Sequence, residues 1–222
     1  MVTRMSVRST LTRPLRVLRH EPVTCEGTAE PAGSAALPTV GLTLYTGDSV
    51  AFGYLPLSAA RVTDLMNDHE EFAFVDTYLE SLEDGHELAA GSVVVAREEI
   101  FVAAVAGPRG DPKRRTRTRS IPIEMQVGPY SVWGNLHVVP GSDPLMSFRS
   151  RRTMVPVTEA TVEWDSPDGR RVAQWATVVV NRMLADWIAP ARRDVRPRDL
   201  QLVPEGESRT SGGDFVSQIT RS

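Results

Sequence analysis

Ser49-Val-Ala-Phe-Gly53-Tyr-Leu55 and Tyr130-Ser-Val-Trp-Gly134-Asn-Leu136 share an aromatic-Gly-x-Leu core, at an offset of 134 − 53 = 81. Three further matches follow in the same order. Phe72-Ala-Phe-Val75-Asp-Thr faces Met154-Val-Pro-Val157-Thr-Glu at 157 − 75 = 82, and Glu83-Asp84-Gly85 faces Pro167-Asp168-Gly169 at 169 − 85 = 84. Ser92-Val-Val-Val-Ala-Arg-Glu-Glu-Ile100 meets Ala176-Thr-Val-Val-Val-Asn-Arg-Met-Leu184 at the same 84. An offset that grows by small steps is how a duplicated fold diverges, with the changes taken up in loops. The spacing predicts a mainly β chain, a tandem duplication of a small five-stranded barrel-like or strongly curved sheet, each copy with one short helix.

Each copy reads alike. Gly41 to Tyr45 and Val50 to Leu55 flank the Gly47-Asp48 turn; Ile121 to Val127 and Ser131 to Val139 flank Gly128-Pro129. Turns this short make the strands antiparallel. A helix follows. In the first copy Ser58 is expected to cap it, Leu57 to staple onto Val62, and Asn67 to end it in a left-handed conformation. In the second, Asp143 caps and Pro144 takes the first helical position. A meander closes each copy, turning at Asp84-Gly85 and Asp168-Gly169 in type I′ geometry. A five-stranded open sheet would expose edges and one apolar face, which favours closure or strong bending.

These elements divide the 222 residues into a flexible leader (1–37), a first β module (38–107), a basic linker (108–120), a second β module (121–190) and a disordered tail (191–222). The Arg4, Arg8, Arg13, Arg16, Arg19 series of the leader reads as a targeting segment, as a surface binder, or as a dispensable start, since Met5 also offers an initiation point. Nowhere is there an apolar run of about 18 residues that would span a membrane as a helix. Cys25, the single cysteine, forms no internal disulfide or cysteine metal site, so a soluble, cytoplasmic protein is the expectation.

Charge is distributed unequally. Residues 38–108 carry 2 basic and 12 acidic side chains, net −10, and residues 109–190 carry 12 basic and 8 acidic, net +4. Opposite fields of this kind orient halves of one chain, or halves of two chains, towards each other.

Arg61-Val-Thr-Asp64-Leu-Met-Asn67 followed by Phe72-Ala-Phe-Val-Asp76-Thr resembles a segment of uncharacterised bacterial proteins with small Sm-like β domains, where a short Arg-x-x-Asp-Leu-x-Asn helix leads into a strand. Val157-Thr158-Glu159-Ala160 resembles the second element, whereas Asp143-Pro-Leu-Met-Ser-Phe148 lacks the Arg, Asp and Asn of the first. The resemblance covers about a quarter of the chain. It implies a fold type, with RNA binding or ring assembly as behaviour that such domains show, and no particular activity.

Candidate interaction residues fall in two sets. Arg61, Asp64 and Asn67, three apart on a helix, share one face, either as a binding surface or as a local pair with a helix stop. Lys113, Arg114, Arg115, Arg117 and Arg119, joined by Arg149, Arg151 and Arg152, could track a nucleic-acid backbone or meet an acidic protein surface. Trp133 belongs with this second set. All four tryptophans (Trp133, Trp164, Trp175 and Trp187) lie in the second copy and suit half-buried seams, and Trp164 and Trp175 flank one hairpin across which they could meet.

Four separated histidines, an acidic cluster without calcium-loop spacing, no Gly-x-Ser-x-Gly elbow and no phosphate-loop ending give no catalytic residue, metal ligand or cofactor motif. The reading is a non-enzymatic interaction or assembly protein acting through protein–protein contacts. Its alternative is a small-barrel nucleic-acid adaptor.

Overall fold

The structure, a computed structural model, describes residues 38–105 and 116–191. The first half contributes β1 (Thr39–Tyr45), β2 (Ser49–Pro56), α1 (Val62–Asp68), β3 (Glu71–Ser81), β4 (Glu87–Ala96) and β5 (Val102–Val105). The second contributes β6 (Arg119–Val127), β7 (Tyr130–Val138), α2 (Pro144–Ser150), β8 (Met154–Ser166), β9 (Gly169–Asn181) and β10 (Ala185–Pro190). All strand pairs are antiparallel, in one ten-stranded sheet ordered β10-β6-β7-β8-β9-β5-β1-β2-β3-β4. The mainly β expectation therefore holds. The sheet does not close into a barrel; it runs from β10 to β4, joined in the middle by β9 and β5.

Alternation explains the local structure. On β2, Ala51, Gly53 and Leu55 face inward while Phe52, Tyr54 and Pro56 face out, the period of a half-buried strand. At Gly53 and Gly134 neighbouring strands cross closely, β3 against β2 and β8 against β7. A Cβ on Gly53 would stand 3.0 Å from Thr77 Oγ1, and one on Gly134 would stand 2.6 Å from Val157 Cγ1 and 3.0 Å from the Thr158 carbonyl. Just beyond each crossing sits a non-glycine residue with positive φ, Asp76 at 50° and Glu159 at 49°. The pairing register shifts at both places, the signature of a bulge that bends a long strand.

The core has two parts. One gathers α1 residues Val62, Leu65 and Met66 with Leu42, Phe74 and Ile100, and extends to Met154 and Val179 of the second half. The other centres on Ile123, Val132, Leu136, Phe148 and Val162, and takes in Tyr45, Val102 and Ala104 of the first half. Among the described residues no helix is long and apolar enough to cross a membrane.

Several local expectations are corrected. Helix α1 begins at Val62 with Arg61 as its N-cap and no side-chain cap, so Ser58 does not cap it; Leu57 and Val62 are both buried. The helix runs through Asp68 to its C-cap His69, so Asn67 lies within it and is not left-handed; its side chain bonds to Met154. Helix α2 follows its expectation: Asp143 accepts from Met146 N–H at 2.8 Å and Pro144 opens the helix. Neither meander turn is type I′, since positive φ occurs at Gly85 and Gly169 but not at Asp84 or Asp168. The last residues of the expected linker, Arg119 and Ser120, open β6. The leader, residues 106–115 and the tail beyond 191 lie outside the described residues.

Candidate functional site

The junction of the two halves is built from strand pairing and aromatic packing. Val102, Ala103 and Ala104 of β5 stand opposite Val180, Val179 and Val178 of β9, all at most 1% exposed. Asn181 N–H extends the ladder by donating to the Phe101 carbonyl at 2.9 Å. Beside it Tyr45 packs edge-on against Tyr130 and Trp164, with ring centroids 5.2 and 5.3 Å apart. Such pairs contribute about 0.5–1.5 kcal/mol beyond the area they bury.

The polar tips are also satisfied there. Trp175 Nε1–H donates to the Tyr45 hydroxyl at 2.9 Å, and the Tyr130 hydroxyl donates to the Thr46 carbonyl at 2.6 Å. Burial pushes both phenols well above the usual tyrosine range, so they stay neutral. Trp164 and Trp175 thus meet around Tyr45, not across their own hairpin, where Trp164 faces Arg171 and Trp175 faces Ala160. Arg171 bridges the halves at the rim, holding the Glu80 carboxylate at 2.6 Å.

The first predicted set is divided by the structure. The Asn67 amide accepts from Met154 N–H at 3.0 Å and donates to the Met154 carbonyl at 2.9 Å, fastening α1 to the start of β8. The Asn67 carbonyl accepts from Arg97 and from Arg152, and Arg152 also pairs with Asp68 at 2.8 Å. Arg61 is half-buried at the helix start, Asp64 is exposed, and among the described residues the two form no ion pair. Asn67 is therefore a joint between halves, and the three do not form a shared binding face.

The second set is also dispersed. Lys113, Arg114 and Arg115 lie outside the described residues, while Arg117 and Arg119 are exposed at the start of β6. Arg151, enlisted with them, points inward and donates to the His137 carbonyl, where burial lowers its pKa. Trp133 is half-buried on β7, opposite Glu124 and Thr161.

Two features were missed by sequence reasoning. The first is the pair of outer strands. Arg97 N–H donates to the carbonyl of Glu70, the residue before β3, at 2.7 Å, so by strand alternation Ala96 and Val94 turn their backbone groups away from the sheet. Ala96 N–H meets the Glu99 carboxylate at 3.3 Å instead. At the other end Ala191 N–H donates to Pro122 on β6, so Ile188 and Pro190 turn outward. Next to the β4 edge an open groove of ≈ 700 Å³ is lined by His69, Glu70, Arg97, Thr153 and Asn181 among others. The second missed feature is a strip of exposed aromatic residues on β2 and β3, Phe52, Tyr54 and Tyr78. Period-2 alternation, visible in the sequence, places Phe52 and Tyr54 on one face, but the pairing that sets Tyr78 beside them is non-local.

No protein-family model, curated protein or solved structure matches the chain.

Proposed function

We propose that this is a non-enzymatic assembly protein, made of two divergent copies of a five-stranded unit, that acts through protein–protein contacts by adding strand to strand at its sheet edges. The observation that carries the reading is the order β10-β6-β7-β8-β9-β5-β1-β2-β3-β4. In each half the fifth strand lies beside the first and the fourth lies at the half's opposite end. Internally, the fifth strand of one half is captured by the fourth strand of the other.

Residue correspondences support the duplication. Gly53 matches Gly134 at 134 − 53 = 81, the positive-φ residues match at 159 − 76 = 83, and the 3₁₀ turns after the fourth strands match at 182 − 97 = 85. The third strand, which carries the bulge, and the fourth are each one residue further apart than their sequence motifs imply, because the repeat follows backbone position through the bulge and not the apolar letters.

By these offsets β10 corresponds to β5 and β4 to β9. The pairing of Val102, Ala103 and Ala104 with Val180, Val179 and Val178 then maps onto Trp187, Ile188 and Ala189 of one copy against Val95, Val94 and Val93 of another. Such a contact is head-to-tail and joins the acidic half of one chain to the basic half of the next, so it weakens as salt rises. Unpaired edges are ready templates for strand addition. The aromatic residues of the internal junction have no equivalents at this one: Tyr45 corresponds to Gln126, Trp164 to Ser81 and Trp175 to Ala90. The intermolecular contact is therefore the weaker of the two.

Proline at an outward-facing edge position removes one outward ladder donor and breaks no hydrogen bond within the sheet. Sedimentation of Val94→Pro alone and of Ile188→Pro alone should show monomers, and their equimolar mixture should show dimers. Association that survives in either variant alone overturns the head-to-tail contact. A chain that stays monomeric at low and high salt, and that recovers no protein partner by affinity capture, overturns the assembly reading.

The nucleic-acid adaptor is favoured by exposed Arg117 and Arg119 adjoining Lys113–Arg115. It loses Arg151 and Arg152 to internal contacts. Titration of labelled single-stranded RNA and duplex DNA at low salt decides it.

A further inference from the structure

Phe52 and Tyr54 on β2 are 41% and 40% exposed, with Tyr78 at 62% and Val75 at 40% on β3. Phe52 stands opposite Tyr78 and Tyr54 opposite Val75, so the four form one continuous strip. Gly41 on β1 leaves room beside it: a Cβ there would touch the Phe52 and Tyr54 rings at 3.6 Å. Single exposed apolar side chains are ordinary, whereas an adjoining group marks a contact surface. Exposed carboxylates Glu71, Asp76 and Glu87 stand on β3 and β4 around the strip. The corresponding positions in the second half are Trp133, half-buried, with Asn135, Thr161 and Thr158, so only the first half carries a continuous strip of exposed rings.

A strip of rings bordered by carboxylates fits a segment in which arginines recur among aliphatic residues. Guanidinium groups stack on ring faces and pair with the border, and the aliphatic side chains cover the remaining apolar area. Residues 1–20 have this composition: Arg8, Arg13, Arg16 and Arg19 recur among residues such as Leu15 and Leu18, and no acidic residue interrupts them. The chain enters the sheet beside the strip, since Thr39 stands opposite Pro56, two residues beyond Tyr54. About 19 residues between Arg19 and Pro38 reach up to about 60 Å when extended, and neighbouring strands are about 4.8 Å apart, so the strip is within range. A tether of this length holds the segment at an effective concentration of the order of millimolar.

We propose that residues 4–19 dock on the Phe52-Tyr54-Tyr78 strip of the same chain. This holds whether or not the sheet edges assemble.

Cys25 is the only cysteine, so a nitroxide attached to it reports on the leader of the full-length chain without mutation. Amide signals of Phe52, Val75 and Tyr78 should be broadened by the label, and those of Asn135 and Thr161 should not. The broadening should disappear in the Arg8→Glu, Arg13→Glu, Arg16→Glu, Arg19→Glu chain, whose folded-half sequence is unchanged, and in Tyr78→Glu. Equal broadening in the charge-reversed chain overturns the proposal. Broadening that appears only when spin-labelled chain is mixed with isotope-labelled chain also overturns it, and assigns the strip to a second copy.

Discussion

The two halves of the chain place the same kinds of strand in the same relative order and then treat corresponding positions differently. At the end of its first strand one half carries Tyr45, 1% exposed, held by Tyr130, Trp164 and Trp175 of the other half. At the corresponding point the other half carries Gln126, which bonds locally to Gly128 and Ser131. On the outer face the roles reverse in part: Phe52 has a half-buried aromatic counterpart in Trp133, but the exposed rings of Tyr54 and Tyr78 stand where the second half has Asn135, bonded to Glu159, and Thr161. Backbone geometry accommodates these differences because bulges and close glycines fix the path of the strands, and the side chains between them are free to differ.

The largest test of that contrast is a matched pair. Tyr45→Ala removes a buried ring from the junction and should cost about 3–5 kcal/mol of unfolding free energy, whereas Gln126→Ala removes local hydrogen bonds worth about 1 kcal/mol. Denaturant melts of the two variants measure the difference. Equal losses would mean that the junction is not the stronger point of the sheet.

The crossings give the next test. Gly134→Ala drives a Cβ to 2.6 Å from Val157 Cγ1, while Gly53→Ala meets the Thr77 hydroxyl at 3.0 Å. Overpacking at Gly134 should cost about 1–3 kcal/mol, and Gly53→Ala less, because a single side-chain oxygen yields more readily than a packed valine beside a carbonyl. Thermal melts of both should keep that order.

These pairs also show what the sequence could reveal. Alternation at Ser49–Leu55 and Tyr130–Leu136, the turns at Gly47-Asp48 and Gly128-Pro129, and the Asp143-Pro144 helix start are local features, and they were legible. Pairing of β5 with β9 is not local. Val102–Val105 and Val178–Val180 are apolar runs that fit many neighbours, and nothing within them says which strand they meet. The open sheet followed from that one unseen pairing, since capture of β5 by β9 lets the halves continue each other and not curl shut. Asn67 was misread for the same reason: its partner Met154 lies 87 residues away, so a residue with a good record as a helix stop was assigned that local role.

Asn67 supplies a third pair. Asn67→Ala strips Met154 of partners for both its N–H and its carbonyl and should cost about 1–3 kcal/mol. Arg149, at the matching place on α2, is exposed, and Arg149→Ala should stay within about 0.5 kcal/mol. If the losses match, the helix is fastened by its apolar face and the amide clasp is incidental.

The smallest effect is set by pH. Tyr130 is buried with its hydroxyl on the Thr46 carbonyl, and its counterpart Ser49 carries nothing that ionises in the alkaline range. Burial first, then Tyr45 and Asp48, raise the folded pKa of Tyr130 above its unfolded value. The folded state thus keeps a proton that the unfolded chain gives up. This stabilisation is fully present below the unfolded tyrosine pKa of about 10 and is lost as pH rises above it. Tyr130→Phe keeps the ring packing and leaves the Thr46 carbonyl without that donor, so it should cost about 1 kcal/mol at neutral pH. In return, the variant should lose less stability than the parent between neutral and strongly alkaline pH. Parallel denaturant midpoints across that range test the sign: if the parent and the variant fall together, the alkaline loss arises elsewhere, and Tyr130 contributes to the junction only through packing and its hydrogen bond.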